Sequence, residues 1–254
     1  LLRELKILYA CIQFYTQIPL PAVLNYSPDH LQKSIRYLTL VGLFVGSTGA
    51  FVFYLISSFL PLTISIVITM AFLVAITGGL HEDGFADVCD GFGGGQTPQR
   101  ILEIMKDSHI GVFGVLGLVF LLLTKVFCLA QIGILQTPLL LIIAHTSSRI
   151  LPVLMIYTSK YVRLDGSSKA KYALPHGNLY NTIPVLIFGL LPMYLLNWKI
   201  NVFIIGILLC AFIIMRWYFH KKIGGYTGDI LGAMQQIGET LIFLGYIVFT
   251  YNIP

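Results

Sequence analysis

Residues 62–91, LTISIVITMAFLVAITGGLHEDGFADVCDG, decide how the chain is read. The first part, 62–80, carries no charge and is long enough to cross a bilayer. It runs straight into Glu82, Asp83, Asp87 and Asp90, four of the chain's 11 acidic residues. A carboxylate beside hydrocarbon is costly, so such a cluster reads as a functional site. On a helix, Asp83, Asp87 and Asp90 are spaced i, i+4, i+7 and share one face. Three converging carboxylates repel one another unless a cation lies between them. A hard divalent ion with oxygen ligands, Mg²⁺, is the simplest occupant.

Working outward, the 254 residues are 57% hydrophobic and 11% charged, against about 25% charged in soluble domains. An integral membrane protein is expected. The net charge of +5 is read as orientation and headgroup attraction, with no nucleic acid partner. No repeat, linker or composition shift divides the chain, so 1–254 is read as a single integral membrane catalytic domain. Residues 1–18 suggest an interfacial amphipathic helix stopped by Pro19 and Pro21. Apolar stretches follow at 37–60, 62–80, 111–132, 137–158, 179–197, 200–219 and 230–251. The expected fold class is all-α, a polytopic membrane helical bundle of about seven spans. Arg3, Glu4 and Lys6 interrupt the opening apolar run and no small-residue cleavage site follows, so a signal peptide is not expected. Cys11, Cys89, Cys128 and Cys210 lack metal-site spacing and read as free thiols.

Orientation follows from the basic residues. Arg3, Lys6, Lys33 and Arg36 precede the first span, and Arg100 and Lys106 lie in 81–110. Lys160, Arg163, Lys169 and Lys171 lie in 159–178, and Arg216, Lys221 and Lys222 flank 220–229. With seven spans these share one side and only Lys199 lies opposite, which puts the acid cluster in the cytoplasm. A multi-pass protein of the cytoplasmic (inner) membrane, with a cytoplasm-facing site, is expected.

Four constellations can converge there: the acids with His81; Lys106-Asp107-Ser108-His109; Lys125 and Arg149 within spans; and Gly224-Gly225-Tyr226-Thr227-Gly228-Asp229 at the start of the last span. Arg149 follows a polar patch, His145-Thr146-Ser147-Ser148. Such a set suits phosphoryl transfer: carboxylate-held Mg²⁺ neutralises phosphate oxygens, Lys or Arg takes up leaving-group charge, and a carboxylate or His81 accepts a hydroxyl proton. Glycines and helix-start N–H groups let a phosphate approach the backbone. His109, His176 and His220 are read as interfacial histidines without catalytic duty.

These residues resemble the cobalamin synthase family, the adenosylcobinamide-GDP ribazoletransferases. The pattern Gly-Gly-hydrophobic-His-x-Asp-Gly-hydrophobic-Ala-Asp-x-x-Asp-Gly is met over 78–91. Two further blocks are met over 100–111 and 224–233, with Glu239 following, and the opening Phe14-Tyr15-Thr16-Gln17-Ile18-Pro19-Leu20-Pro21 is similar too. Gln17 and His109 stand where Arg is common, and 165–168 lacks the usual Gly-Leu-Gly. The resemblance implies a transferase of vitamin B12 (cobalamin) biosynthesis. A hydroxyl of α-ribazole, or of its 5′-phosphate, attacks adenosylcobinamide-GDP and displaces GMP, with Mg²⁺ required. It further implies His81, Asp83, Asp87 and Asp90 as catalytic residues. Glu82, Asp83, Asp87, Asp90 and Asp107 would serve the metal, and Lys106, Ser108, Lys125, Arg149, Thr227 and Asp229 the phosphates or substrate. A wide cavity facing the cytoplasm is expected, because a corrin ring cannot be enclosed by packed helices; a homo-oligomer is left open.

Two rival readings stand beside this one. A CDP-alcohol phosphotransferase shares Asp87-x₂-Asp90-Gly91, but its Ala-Arg and second acid pair are missing. A cation transporter would place its acids near the bilayer midplane rather than at one end.

Overall fold

A computed structural model describes residues 2–20, 28–162 and 182–252. Among these the chain is helical: α1 Leu2–Tyr15, α2 Pro28–Ser34, α3 Leu38–Ser57, α4 Leu62–Thr77, α5 Leu80–Gly94, α6 Pro98–Ile104, α7 Val112–Ile132, α8 Thr137–Ser147, α9 Ile150–Thr158, α10 Thr182–Leu190, α11 Trp198–Ile223 and α12 Gly228–Asn252. Short 3₁₀ turns cover Ile35–Tyr37 and Leu191–Leu195. The one extended pairing is an isolated bridge between Tyr161 and Tyr226. Arg163, Lys169, Lys171, His176 and the 165–168 loop lie outside the described residues.

The all-α membrane reading holds. Among the described residues five helices are long and apolar enough to cross a membrane: His30–Ser57, Val112–Ile132, Thr137–Thr158, Trp198–Ile223 and Gly228–Tyr251. A sixth is added if α4 and α5 count as one bent span. The stretch expected at 179–197 gives a shorter apolar helix, Thr182–Leu195. Pro192 has no N–H to continue α10, and the chain tightens there into a 3₁₀ turn. The opening helix ends at Tyr15: Thr16 N–H still donates to the Ile12 carbonyl, but Gln17 N–H donates to the carbonyl of Ile76.

Two departures from regular helix position the site. The expected 62–80 span stops at Thr77, where Gly78 and Gly79 both take φ of +66°. Two consecutive left-handed residues are accessible only to glycine at low cost. They turn the chain by 91°, so the acid-bearing α5 leaves the axis of α4. The second departure is the break between α8 and α9. Pro152 removes the N–H that would bond the Ser148 carbonyl, and Ser148 and Arg149 form a joint inside the bundle. This joint is central: the window spanning α8 and α9 is 83% buried, against 17% for α11 on the periphery. Outward-facing Phe120, Phe127, Ile213, Ile214 and Trp217 are exposed, as an apolar solvent requires.

Candidate active site

The acid helix α5 crosses the last helix α12 at Gly84. A side chain there would start 2.8 Å from the backbone oxygen of Asp229, so only glycine admits this approach. The crossing brings Asp83, exposed in the first turn of α5, and Asp229, half-buried in the first turn of α12, to the wall of one cavity of about 230 Å³. Aromatic side chains form much of the remaining wall: Phe14 and Tyr15 from α1, with Tyr161 and Tyr226 from two loops. Those loops are tied together. Tyr226 N–H donates to the Lys160 carbonyl at 2.9 Å, Val162 N–H donates to the Tyr226 carbonyl at 3.0 Å, and the two tyrosine rings meet edge to face at 5.5 Å. Burial pushes the Tyr226 phenol above its ordinary range, so it stays protonated.

Deeper in the same cavity stand Arg149, His81 and Gln235, all buried. Arg149 is fully inaccessible and donates to the His145 carbonyl one turn earlier. Its Nη2 lies 3.5 Å from His81 Nε2, while its Nε has no hydrogen-bond partner. A guanidinium only donates, so His81 Nε2 faces it as an acceptor. The imidazole stacks on Tyr15, with ring centroids 6.3 Å apart.

Behind Arg149 lies an ion network that the sequence did not announce as a unit. Lys125 donates to Gln236 Oε1 at 2.5 Å and to Glu239 Oε2 at 2.6 Å. The other oxygen of Glu239 accepts from Gln235, lies 2.7 Å from His145 Nδ1 off the line of a hydrogen bond, and is 3.9 Å from Arg149. Gln236 also donates to Glu82 Oε1 at 2.9 Å. A small cavity of about 20 Å³, room for about one water, is lined by Glu82, Lys125, His145 and Glu239. Glu82 Oε2 is buried there without a partner. In the sequence Glu239 stands out only as following the third block. Its signal was available: an acid half-way along an apolar span, in a chain with a lysine half-way along another.

The other expected site residues go elsewhere. Among the described residues no three His, Cys, Asp or Glu side chains gather as a metal-binding group, so Asp83, Asp87 and Asp90 do not close into a preformed cage despite sharing a helix face. Asp90 is buried, and its two oxygens accept the N–H groups of Gly111 at 2.7 Å and Gly114 at 2.8 Å, capping the start of α7. Asp87 is half-buried one turn beyond Asp83. Asp107 is exposed in the loop after α6, where the His109 side chain and backbone hold its carboxyl below the ordinary range. Asp107 borders a separate open groove with Asp90 and Arg100. Lys106 and Ser108 are exposed in the same loop and do not line the larger cavity. Lys125 lines the small cavity and not the larger one, as counter-ion to Glu239. Thr227 is fully buried, and its hydroxyl donates to Asp229 Oδ2 at 3.2 Å while accepting from Ile230 N–H, which makes it a cap rather than a cavity residue.

Mg²⁺ commonly keeps several waters and takes only one or two protein carboxylates together with substrate phosphates. Asp83 and Asp229 on one wall, with Asp87 a turn away, fit that requirement; Asp90 and Asp107 do not.

With this geometry in hand, comparison with known proteins points one way. The profile of the family described as Cobalamin-5-phosphate synthase matches residues 7–247. Proteins of Shewanella baltica (strain OS185) and Shewanella sp. (strain ANA-3), each named adenosylcobinamide-GDP ribazoletransferase, are 38% identical to the chain over 250 residues. A protein of the same name from Shewanella oneidensis is 36% identical. Each alignment covers 97% of this chain and 95% of the relative. No solved structure matches the chain.

Proposed function

The chain belongs to the cobalamin-5-phosphate synthase family, and from that membership we propose that it joins adenosylcobinamide-GDP to α-ribazole or its 5′-phosphate, releasing GMP. The observation that carries the chemistry is the convergence of Asp83, Asp229 and Arg149 on one cavity. A hydroxyl oxygen of the ribazole forms a bond to the phosphorus next to cobinamide. The P–O bond to GMP breaks, and the hydroxyl proton passes to a carboxylate oxygen at the cavity mouth. Asp83 and Asp229, with Asp87 adjoining, would hold Mg²⁺; when bound, the ion neutralises diphosphate oxygens and the charge that develops on the leaving group. Arg149 supplies a fixed positive charge in a site shielded from water, where such a charge acts strongly. His81 orients Arg149 rather than accepting the proton, since its Nε2 already faces the guanidinium.

The carboxylates face the cytoplasm in this proposal. Arg100, Lys106, Lys160, Lys221 and Lys222 flank the helix ends that meet at the cavity, which supports that side by the positive-inside rule. A place in the cytoplasmic (inner) membrane is part of the same proposal.

Detergent-purified protein given adenosylcobinamide-GDP, α-ribazole 5′-phosphate and Mg²⁺ should release GMP only when both substrates are present, and EDTA should stop it. GMP release that ignores the ribazole, or none from folded protein, would overturn the assignment. Release that continues in EDTA would remove the metal from it.

A further inference from the structure

We propose that the larger cavity is the seat of the ribazole base, inserted ring first, while the corrinoid and the guanosine stay outside its mouth. This rests on the ribazole transfer proposed above and says which part of which substrate the cavity reads. Three features carry it: size, wall chemistry and the placing of the polar groups.

A volume of about 230 Å³ lies below the roughly 300–1,000 Å³ of sites that enclose a drug-sized ligand. It admits one bicyclic base with part of its sugar and excludes a corrin macrocycle. The candidates are therefore the two nucleoside ends, guanosine and ribazole.

Wall chemistry separates them. The base of ribazole is a dimethylated benzimidazole: flat, apolar at its methyl edge, with a single ring nitrogen as acceptor. Guanine carries several donors and acceptors around its edge, and each one left unpaired on burial opposes binding. Phe14, Tyr15, Tyr161 and Tyr226, with Pro152 and Ile156, offer faces to stack on, while the polar side chains are confined to His81, Arg149 and Gln235 at depth and Asp83 and Asp229 on the more exposed wall. At depth, the Arg149 guanidinium lines the cavity and would donate to the single ring acceptor of such a base.

The polar groups then fix the direction. Arg149 and Gln235 are buried, whereas Asp83 is exposed and Asp229 half-buried. With the ring inward, the ribose hydroxyls emerge beside the two aspartates, where the diphosphate of the other substrate would be held. The nucleophile is thus aimed outward from a fitted pocket, and the bulky partner needs no enclosure at all.

The test separates the two KM values in the full-length detergent-purified enzyme. Ile156→Phe fills the cavity and Phe14→Leu removes a stacking face. Each should raise the KM for α-ribazole 5′-phosphate at least about tenfold, the scale of a pocket misfit, and leave the KM for adenosylcobinamide-GDP and kcat within about twofold. A KM rise for adenosylcobinamide-GDP as large as that for the ribazole, or no change in either, overturns the proposal. Wild-type enzyme gives an arm that needs no variant to fold. Free dimethylbenzimidazole should inhibit competitively against α-ribazole 5′-phosphate, and guanine should not; the reverse pattern assigns the cavity to guanosine. Failure of the family activity would show differently, as absence of GMP release by the wild type. Binding of dimethylbenzimidazole to that wild type, measured by equilibrium dialysis, still decides who occupies the cavity.

Discussion

Asp83 and Glu239 carry the same chemical group under opposite conditions. Asp83 is exposed on the wall of a cavity walled by aromatic rings, on a helix that glycines have turned out of line. Glu239 is 2% exposed, roughly 16 Å along α12 from its start at 1.5 Å per residue, and is held by Lys125, Gln235 and His145. The difference teaches how to sort carboxylates in a membrane protein. One that the protein has already surrounded with donors is part of the frame. One that the protein presents at a cavity wall is kept for something that arrives. By that rule Glu239 and Asp90 belong to the frame and Asp83 to the chemistry, while Asp229 has a foot in each, accepting from Thr227 yet lining the cavity. The Glu239 site also bears on the transporter reading: its carboxylate lies at mid-span, but Lys125 already serves as its cation at 2.6 Å.

The sharpest way to break this division is to remove a partner from the closed side. Lys125→Met leaves the Glu239 carboxylate buried without its nearest cation, and breaking a buried pair costs about 3–5 kcal/mol. Thermal unfolding in detergent should show a large loss, and the double variant Lys125→Met/Glu239→Gln should recover only part of it, because the buried carboxylate is neutralised but Arg149, 3.9 Å away, loses its counter-charge. A single variant as stable as wild type would show that the network is not closed and would return Lys125 to the substrate-binding candidates.

On the open side the expected effect falls on rate. Asp83→Asn is nearly isosteric and exposed, so folding should be unchanged within about 0.5 kcal/mol. Turnover should drop by at least about a hundredfold, or about 2.7 kcal/mol in barrier height. Near-normal GMP release from this variant would end its role in the site.

This contrast also explains how far the sequence could be read. Apolar lengths gave the membrane class, and the motif 78–91 located α5, because composition and local spacing survive folding unchanged. The convergence of Asp83 with Asp229 was only partly legible. It depends on Gly84 admitting the Asp229 backbone, a contact between residues far apart in the chain. The cage of Asp83, Asp87 and Asp90 was inferred from a shared helix face, but sharing a face does not fix what each side chain meets. Asp90 is one turn further along and meets the start of α7 instead. The Lys125–Glu239 pair lies 114 positions apart, and no local pattern announces it. Intramembrane charge marks Lys125 as needing a partner, and the same signal was open to reading at Glu239.

Asp90 tests the boundary between the two classes, since it sits in the acid motif yet behaves as frame. Asp90→Asn keeps one accepting oxygen and puts an amide donor against the second backbone N–H. Stability should fall by about 1–2 kcal/mol, the scale of a lost helix cap. Turnover per folded molecule should stay within about tenfold, far from the loss expected at Asp83. If Asp90→Asn instead copied Asp83→Asn, with stability kept and rate gone, Asp90 would rejoin the metal ligands.

The smallest effect marks the third condition a carboxylate can meet here, partnered but in water. Glu4 on α1 accepts from Tyr37 at 2.7 Å and pairs with Arg36 at 2.5 Å, with about half of its side chain exposed. The Tyr37 hydroxyl, followed by Arg36, holds its carboxyl below the ordinary glutamate range, although burial pushes the other way. A depressed carboxyl stabilises the fold above its unfolded value of about pH 4.3, and that contribution is lost as pH falls through the lower folded value. Solvent screening keeps it under about 1 kcal/mol. Tyr37→Phe should therefore lower the unfolding temperature slightly near neutral pH, with the gap to wild type closing in acid. A gap that widened in acid would give the wrong sign and sever Glu4 from the anchoring of α1. Because α1 carries Phe14 and Tyr15 into the cavity wall, the KM for the ribazole substrate should follow the same slight trend. The ranking from Lys125 to Glu4 then depends on how much water each carboxylate has given up, and not on how short its hydrogen bonds are: the Glu4 pair is as short as the Lys125 pair and contributes least.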